Sequence, residues 1–327
     1  MDVLLAVGRR LGYGVALLLA VLVLNFTMIH LAPGDPADVI AGEMGGATKE
    51  VLEQIRHTYG LDLPMHEQLT LYLGKVLHGD LGHSFYFNRP VSSLILERLG
   101  PTMLLTISAL VLALLIGTLL GVIAAQRPNG MLSHLITFLA LVGYALPVFW
   151  TGIMLLVLLA SWLPLFPVSG MIDVAADYHG IRHVLDVLWH LALPVLTLSS
   201  IYLAVYSRLS RASMLDVLGS DYIRTARAKG VGEFLVVYKH ALRNAVLPVV
   251  TFAGLQFGQL FSGAVLVETV YSWPGLGTLA YDSLLRRDTP TLLGILFFSA
   301  IMVVVVNLLT DLSYRMIDPR VRIGSPA

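Results

Sequence analysis

Three histidines, His179, His183 and His190, lie near one another with Asp177 and Asp186 among them. The four-residue step from His179 to His183 would set two imidazoles on one face of a helix, the arrangement that a zinc pair uses. A solvated polar loop produces the same spacing, and the expectation is that no metal is held. Asn307, Asp311 and Arg315 follow one another by single turns near the end of the last apolar run, where an i, i+4 acid–base pair can satisfy itself and snorkel. Glu268 stands at the end of the fifth run, read either as an interface anchor or as a substrate contact. The chain has no cysteine, which excludes disulfides, thiol nucleophiles and thiolate metal sites. It also has no H-E-x-x-H and no G-x-x-x-x-G-K-[ST] phosphate loop, and no serine–histidine or paired-aspartate set falls inside an apolar run. The expectation is therefore no catalytic residue, no enzyme activity of its own, no ATP hydrolysis by phosphate-loop machinery and no cofactor bound by this chain.

The elements that must position these groups are mostly apolar. Hydrophobic residues make up 57% of the 327 and charged residues only 13%, outside the range of soluble domains. The chain reads as a membrane protein. Net charge is zero, so no basic field argues for nucleic acid. A bilayer core of about 30 Å needs about 20 apolar residues per helix, and charge-free runs occupy 11–34, 99–126, 128–172, 187–207, 244–267 and 289–310. The run 128–172 is long enough for two helices. Treating it as one span at 131–161, kinked or interrupted at Pro147, places Arg9, Arg10, Arg127, Arg208, Arg211, Arg224, Arg227, Lys229, Lys239, Arg243, Arg315, Arg320 and Arg322 on one side, as the retention of basic loops in the cytoplasm requires. Six spans result, with both termini cytoplasmic. Arg9 and Arg10 precede an apolar run too long for a secretory signal, so it is read as a retained first span.

Between the first two spans, 33–98 is polar and must fold outside the bilayer. Thr48 and Gly60 bracket one expected helix, with Val51, Leu52, Ile55 and Tyr59 on a face; Pro64 and Gly79 bracket another. This segment could be a lid over the bundle or a docking surface for an extracytoplasmic partner. In the fifth run Gly254 and Gly258, then Ser262 and Gly263, have small-xxx-small spacing, which suits helix packing or a substrate path. No strand periodicity or tandem repeat is visible.

One basic, glycine-broken stretch interrupts the apolar pattern: 221-DYIRTARAKGVGEFLVVYKHALRNAVLP-248. Ser220 can cap a helix over 221–229 that Gly230 stops, and Glu233 opens a second helix running toward Pro248. An α-helical register puts Phe234, Tyr238, Ala241 and Ala245 on one face, with Lys239 and Arg243 as a basic i, i+4 pair beside it. Two readings fit: an amphipathic element resting on anionic lipid, or a rigid part carrying force into the bundle.

The segment resembles the cytoplasmic coupling loop of the permeases of ATP-binding-cassette importers, whose pattern is Glu-Ala-Ala, three residues, Gly, nine residues, Ile-x-Leu-Pro. Gly230 takes the glycine, Ala226 the second alanine and Leu242 the leucine; Arg224 stands in place of the glutamate, Thr225 of the first alanine, His240 of the isoleucine and Arg243 of the proline. The ending 240-HALRNAVLP-248 is similar to the dipeptide, oligopeptide and nickel permeases. So are 9-RRLGYG, 33-PGDPAD-38, 59-YGLDLPMHEQ-68, 78-HGDLGHS-84, 145-ALPVFWTGI-153, 211-RASMLDVLGSDYIRTARAKG-230, 268-ETVYSWPGLGTL-279 and 311-DLSYRMIDPRVR-322.

The resemblance implies an all-α membrane protein with six transmembrane helices of the type I ABC-importer permease fold and an extracytoplasmic insertion between the first two. It divides the chain into an N-terminal end and first helix (1–32), the outer segment (33–98), a permease core (99–312) with coupling loop 208–247, and a cytoplasmic tail (313–327). It implies a binding-protein-dependent, ATP-driven importer in a bacterial-type inner membrane, with peptides as the first substrate class and nickel chelates, glutathione or opines as the others. Implied partners are a second homologous permease, two cytoplasmic ATPase subunits carrying ATP–Mg, an extracytoplasmic binding protein and lipid. The implied ATPase-contact and coupling residues are Asp221, Tyr222, Arg224, Thr225, Ala226, Arg227 and Gly230. An ion-coupled secondary transporter, the other class considered, calls for midplane charges and inverted repeats; neither is found.

Overall fold

The structure is a computed structural model. It describes the backbone of residues 2–31, 48–59, 61–84 and 86–317, and the side chains within them apart from 2–7, 29, 55, 58, 59, 255, 257–263 and 309–317. Helices dominate because, in hydrocarbon, only a helix satisfies every backbone group within one segment. In order they are α1 (Asp2–Leu31), α2 (Lys49–Tyr59), α3 (Met65–Leu77), α4 (Val91–Gln126), α5 (Met131–Ala145), α6 (Val148–Leu155) continued by wide π turns over Leu156–Trp162, and α7 (Ile181–Leu218). There follow α8 (Asp221–Ala228), α9 (Glu233–Leu235) continued by π turns over Val236–Ala241, α10 (Leu242–Ala245), α11 (Leu247–Tyr271), α12 (Leu276–Arg286) and α13 (Thr289–Ile317). The polar segment between the first two apolar runs adds one feature that helical periodicity does not reveal. A two-residue antiparallel pair, β1 (His83–Ser84) with β2 (Arg89–Pro90), sets His83 against Pro90 and Ser84 against Arg89.

Among the described residues four stretches are long and apolar enough to cross a bilayer: Gly8–Met28, Val91–Gln126, Ile181–Leu218 and Thr289–Leu308. α11, 25 residues long, covers the expected fifth run. The remaining run differs from a simple kink, because α5 and the α6 stretch meet at 107°. Pro147 lacks the N–H that would continue the helix, so the chain turns there as a broken span or a re-entrant loop. α4 and α7 reach 36 and 38 residues, well past the apolar middles that hydropathy marks.

Contacts divide the chain into two compact units, one from Met1–Leu99 and Leu279–Leu308, the other from Gly100–Thr278 with 309–322. In the first, the Asn25 amide donates to the Leu293 carbonyl and His30 meets Gln68 at 2.9 Å. Its loop at β1 is pinned by the buried Asp288 carboxylate, which accepts 2.6 Å bonds from the Ser84 and Thr291 hydroxyls at the start of α13. In the second, α4 and α7 pack with almost no side chain between them. A Cβ on Gly117 would lie 2.9 Å from the Leu203 carbonyl oxygen, and one on Gly121 would lie 2.5 Å from that of Ser207. The sequence 117-GTLLG-121 is the close-packing motif that a membrane interior favours. The core of this unit gathers Leu105, Leu193, Leu198, Tyr206, Val249, Val267, Tyr271 and Trp273.

Candidate coupling site

α8 is eight residues long and strongly two-faced. Asp221 opens it, where a carboxylate suits the helix dipole. Ser220 occupies the cap position, but its hydroxyl donates back to the Val217 carbonyl at 2.6 Å and caps nothing. The C-terminus closes as a Schellman turn: Val231 N–H donates to the Ala226 carbonyl at 3.2 Å and Gly230 N–H to that of Arg227 at 2.9 Å. Gly230 adopts φ +78°, with open space around its Cα. Glycine is there for its conformation and not for close packing.

One residue anchors the helix. Ile223 is fully buried among Val122, Ala125, Met214, Val236, Val237, Ala241 and Ala245, so α8 is nailed to the ends of α4 and α7 and to the segment that follows it. Asp221, Tyr222, Arg224, Thr225, Arg227 and Gly230 are exposed, whereas Ala226 is half-buried against the same cluster. Spacing alone did not single out Ile223. Its signal was a lone β-branched apolar residue in a polar octet.

The following segment departs in part from the expected register. Tyr238, Ala241 and Ala245 pack into the apolar cluster as the expected face requires, and the Phe234 ring lies 4.8 Å from that of Tyr238, but Phe234 itself is 73% exposed. The π turns over Val236–Ala241 place more residues in each turn and bring Val236 and Val237 inward as well. Lys239 and Arg243 remain exposed.

Polar side chains tie α8 to this segment at both ends. Asn244 Nδ2 donates to the Tyr222 hydroxyl at 2.8 Å. Arg227 grips Glu233 with two bonds, Nε to Oε2 at 3.1 Å and Nη2 to Oε1 at 2.7 Å. Through these bonds the Glu233 carboxyl is held below its usual range and the Arg227 guanidinium above its own.

Glu268 is neither an interface anchor nor open to substrate: it is fully buried. Its Oε1 accepts from the Thr102 hydroxyl at 2.7 Å, and its Oε2 from the N–H groups of Gly277 at 2.7 Å and Thr278 at 3.2 Å. Those are free first-turn donors of α12, so Glu268 caps that helix from another element. Thr102 in turn accepts from Leu276 N–H at 2.8 Å. Gly275 and Gly277 leave the room, since a Cβ on either would run into the carboxylate. Trp273, also buried, donates its indole N–H to the Pro101 carbonyl at 2.9 Å.

Of the three histidines, His179 and His183 line a cavity of about 440 Å³ with Asp173, Asp177 and Asp186. His190 sits against Asp186, and His179 Nδ1 lies 2.8 Å from the Asp177 carbonyl. Among the described residues no group of three or more potential ligands could hold a metal ion. The side chains of Gly258, Ser262, Gly263, Asp311 and Arg315 lie outside the described residues, as do those of Ile55 and Tyr59 in the expected α2 face.

Residues 117–323 match the family described as binding-protein-dependent transport system inner membrane component, and residues 3–106 match its N-terminal region. The chain belongs to this family. It is an integral membrane permease of the ATP-binding-cassette importer class, a transport component and not the ATPase. The permease is 41% identical over 331 residues to the dipeptide transport system permease protein DppB of Escherichia coli (strain K12), covering 96% of this chain and 97% of that one. It is 39% identical over 314 residues to the oligopeptide transport system permease protein AppB of Bacillus subtilis (strain 168), covering 96% and 98%. Its fold is similar to a chain of the MetNI methionine ABC transporter in an inward-facing conformation, with a TM-score of 0.55 at 16% identity, covering 69% of this chain and 96% of that chain. That likeness confirms the all-α permease architecture.

Proposed function

We propose that the permease imports di- or oligopeptides with a second homologous permease, two cytoplasmic ATPase subunits and an extracytoplasmic binding protein. The observation that carries the substrate class is end-to-end identity near 40% with a dipeptide and an oligopeptide permease. Nickel chelates, glutathione and opines are the competing cargoes. In this reading 1–32 forms the cytoplasmic end and first helix, 33–98 the outer segment, 99–312 the core with coupling loop 208–247, and 313–327 a cytoplasmic tail. Both termini face the cytoplasm.

α8 is the ATPase contact. A helix pegged by Ile223, with Asp221, Tyr222, Arg224 and Thr225 outward, is built to be pushed. Ala226 and Gly230 shape its seat and its elbow, and Arg227 stands on the same exposed face at its C-terminal end. ATP–Mg is bound and hydrolysed by the partner subunits. Closure of the ATPases on ATP moves α8, and the bundle rocks from inward- to outward-facing; hydrolysis resets it.

Tagging the chain, extracting it gently from its native membrane and identifying what co-purifies by mass spectrometry tests this. ATPase subunits, a second permease and a peptide carried by a bound extracytoplasmic protein are the expected result. A chain that purifies without any ATPase, even after crosslinking at 221–229, overturns the coupling reading and returns α8 to the lipid surface.

A further inference from the structure

Arg227 matches a family position expected to face the ATPase, yet its guanidinium is already occupied. Both of its used nitrogens point at Glu233, six residues on, across the Gly230 elbow. Fork-to-fork pairing of this kind fixes orientation as well as distance. The pair is half-exposed, at 43% and 60% of the side-chain surface, so it is poorly placed to hold the fold together. Folding of the segment is supplied by Ile223 and its apolar neighbours.

We propose that Arg227 and Glu233 are a positioning pair: their ion pair locks the angle between α8 and the segment running into α11, so that a push on α8 moves that segment with it. The pair is the second of two ties. Asn244 and Tyr222 hold the N-terminal end of α8 to the same segment, and with both ends tied the helix cannot pivot about the Ile223 peg. Without the clamp, the Schellman turn alone carries the load at the C-terminal end, and one glycine with open space around it is a soft joint. The force would then be spent in bending the elbow. Glu233, which falls among the unspecified residues after Gly230, is as necessary as Arg227. This inference rests on the reading of α8 as the ATPase contact.

The experiment uses the complete transporter, both permeases with their ATPases, reconstituted in lipid. The readout is the ratio of ATP hydrolysis with its binding protein, purified with the ligand it carries, to hydrolysis without it. Arg227→Ala and Glu233→Ala should each lower that ratio about two- to fivefold, the span that an exposed ion pair covers, while the thermal unfolding temperature stays near that of the parent. The swap Arg227→Glu with Glu233→Arg should restore it. Arg227→Lys should rescue only in part, because a point charge replaces a fork. A normal ratio in Glu233→Ala alongside a defect in Arg227→Ala, or a swap as defective as the single changes, overturns the proposal. Crosslinking from Thr225→Cys, in a chain with no other cysteine, keeps the two readings apart. Loss of the ATPase crosslink in otherwise normal protein sinks the coupling reading; a retained crosslink with unchanged ratios sinks only the clamp.

Discussion

Two polar constellations organise the Gly100–Thr278 unit, and they are built on opposite principles. At Glu268 a fully buried carboxylate takes three hydrogen bonds, two of them from backbone, in a space that only glycine at 275 and 277 leaves open. At the elbow of α8 a half-exposed carboxylate takes two bonds from one long, flexible arginine beside a glycine with nothing near it. Losing one partner of a buried hydrogen-bonded group leaves the others unsatisfied, a penalty that an exposed pair escapes because water replaces the lost bond. The first is a joint meant to stay shut; the second is stiff only while its clamp is closed.

Breaking the buried joint should therefore have the largest effect. Glu268→Ala strands the Thr102 hydroxyl and two N–H groups of α12, each worth about 1–3 kcal/mol when buried without a partner. The expected outcome is a sharply lowered unfolding temperature and poor accumulation in the membrane. Glu268→Gln, which keeps one acceptor oxygen, should fall between that variant and the parent. Equal stability of all three would mean that the junction carries no load.

The α4–α7 contact extends the comparison to close packing without any charge. In Gly121→Leu the first added atom meets the Ser207 carbonyl, which belongs to a helix backbone and cannot swing aside. Overpacking costs about 1–3 kcal/mol, so destabilisation should be clear but smaller than for Glu268→Ala. Gly143→Ala offers the control, since its Cβ would sit at an ordinary 3.5 Å from the Ser200 carbonyl.

At the elbow the same type of change should alter function more than stability. The Cβ of Gly230→Leu meets no atom within 4 Å, but the residue must hold φ near +78°, at about 1–2 kcal/mol for a residue with a Cβ. Insertion should be normal and transport reduced, and a correctly inserted Gly230→Leu protein that transports at the parent rate would remove the elbow from the mechanism.

What the sequence made legible follows the same division. Local rules located α8 and its stop, because a polar octet bounded by Ser220 and Gly230 is a short-range signal. The positive φ of Gly230 was likewise readable from residue type. Glu268 is less legible, because a charge at the end of an apolar run looks like an interface anchor; Gly277 and Thr278 are near in sequence, but Thr102, 166 residues away, has no local signal. The burial of Val236 and Val237 escapes face-counting, which assumes 3.6 residues per turn, because the π turns over Val236–Ala241 break that count. The motif 117-GTLLG-121 is as visible as Gly254 and Gly258, but no spacing rule states which helix such a pair packs against. At Pro147 the break itself was readable, whereas its 107° angle depends on what packs around it.

The smallest expected effect is the most discriminating, because it depends on the clamp being electrostatic. Glu233 is held below its usual range by Arg227, so the stabilisation is present above the ordinary carboxylate range and disappears only as pH falls through the lowered value. Arg227, raised by the same bonds, stays charged throughout. Between pH 8 and 6 the gap in stimulation ratio between the parent and Glu233→Gln should therefore stay constant. Salt should narrow it. The screening length shrinks from about 10 Å at 0.1 M to about 3 Å at 1 M, which weakens a water-exposed pair, so the parent should drift toward the variant as salt rises while the unfolding difference set by Glu268 holds. A gap that opened and closed between pH 8 and 6, or one that ignored salt, would show that something other than the Arg227–Glu233 ion pair holds the elbow.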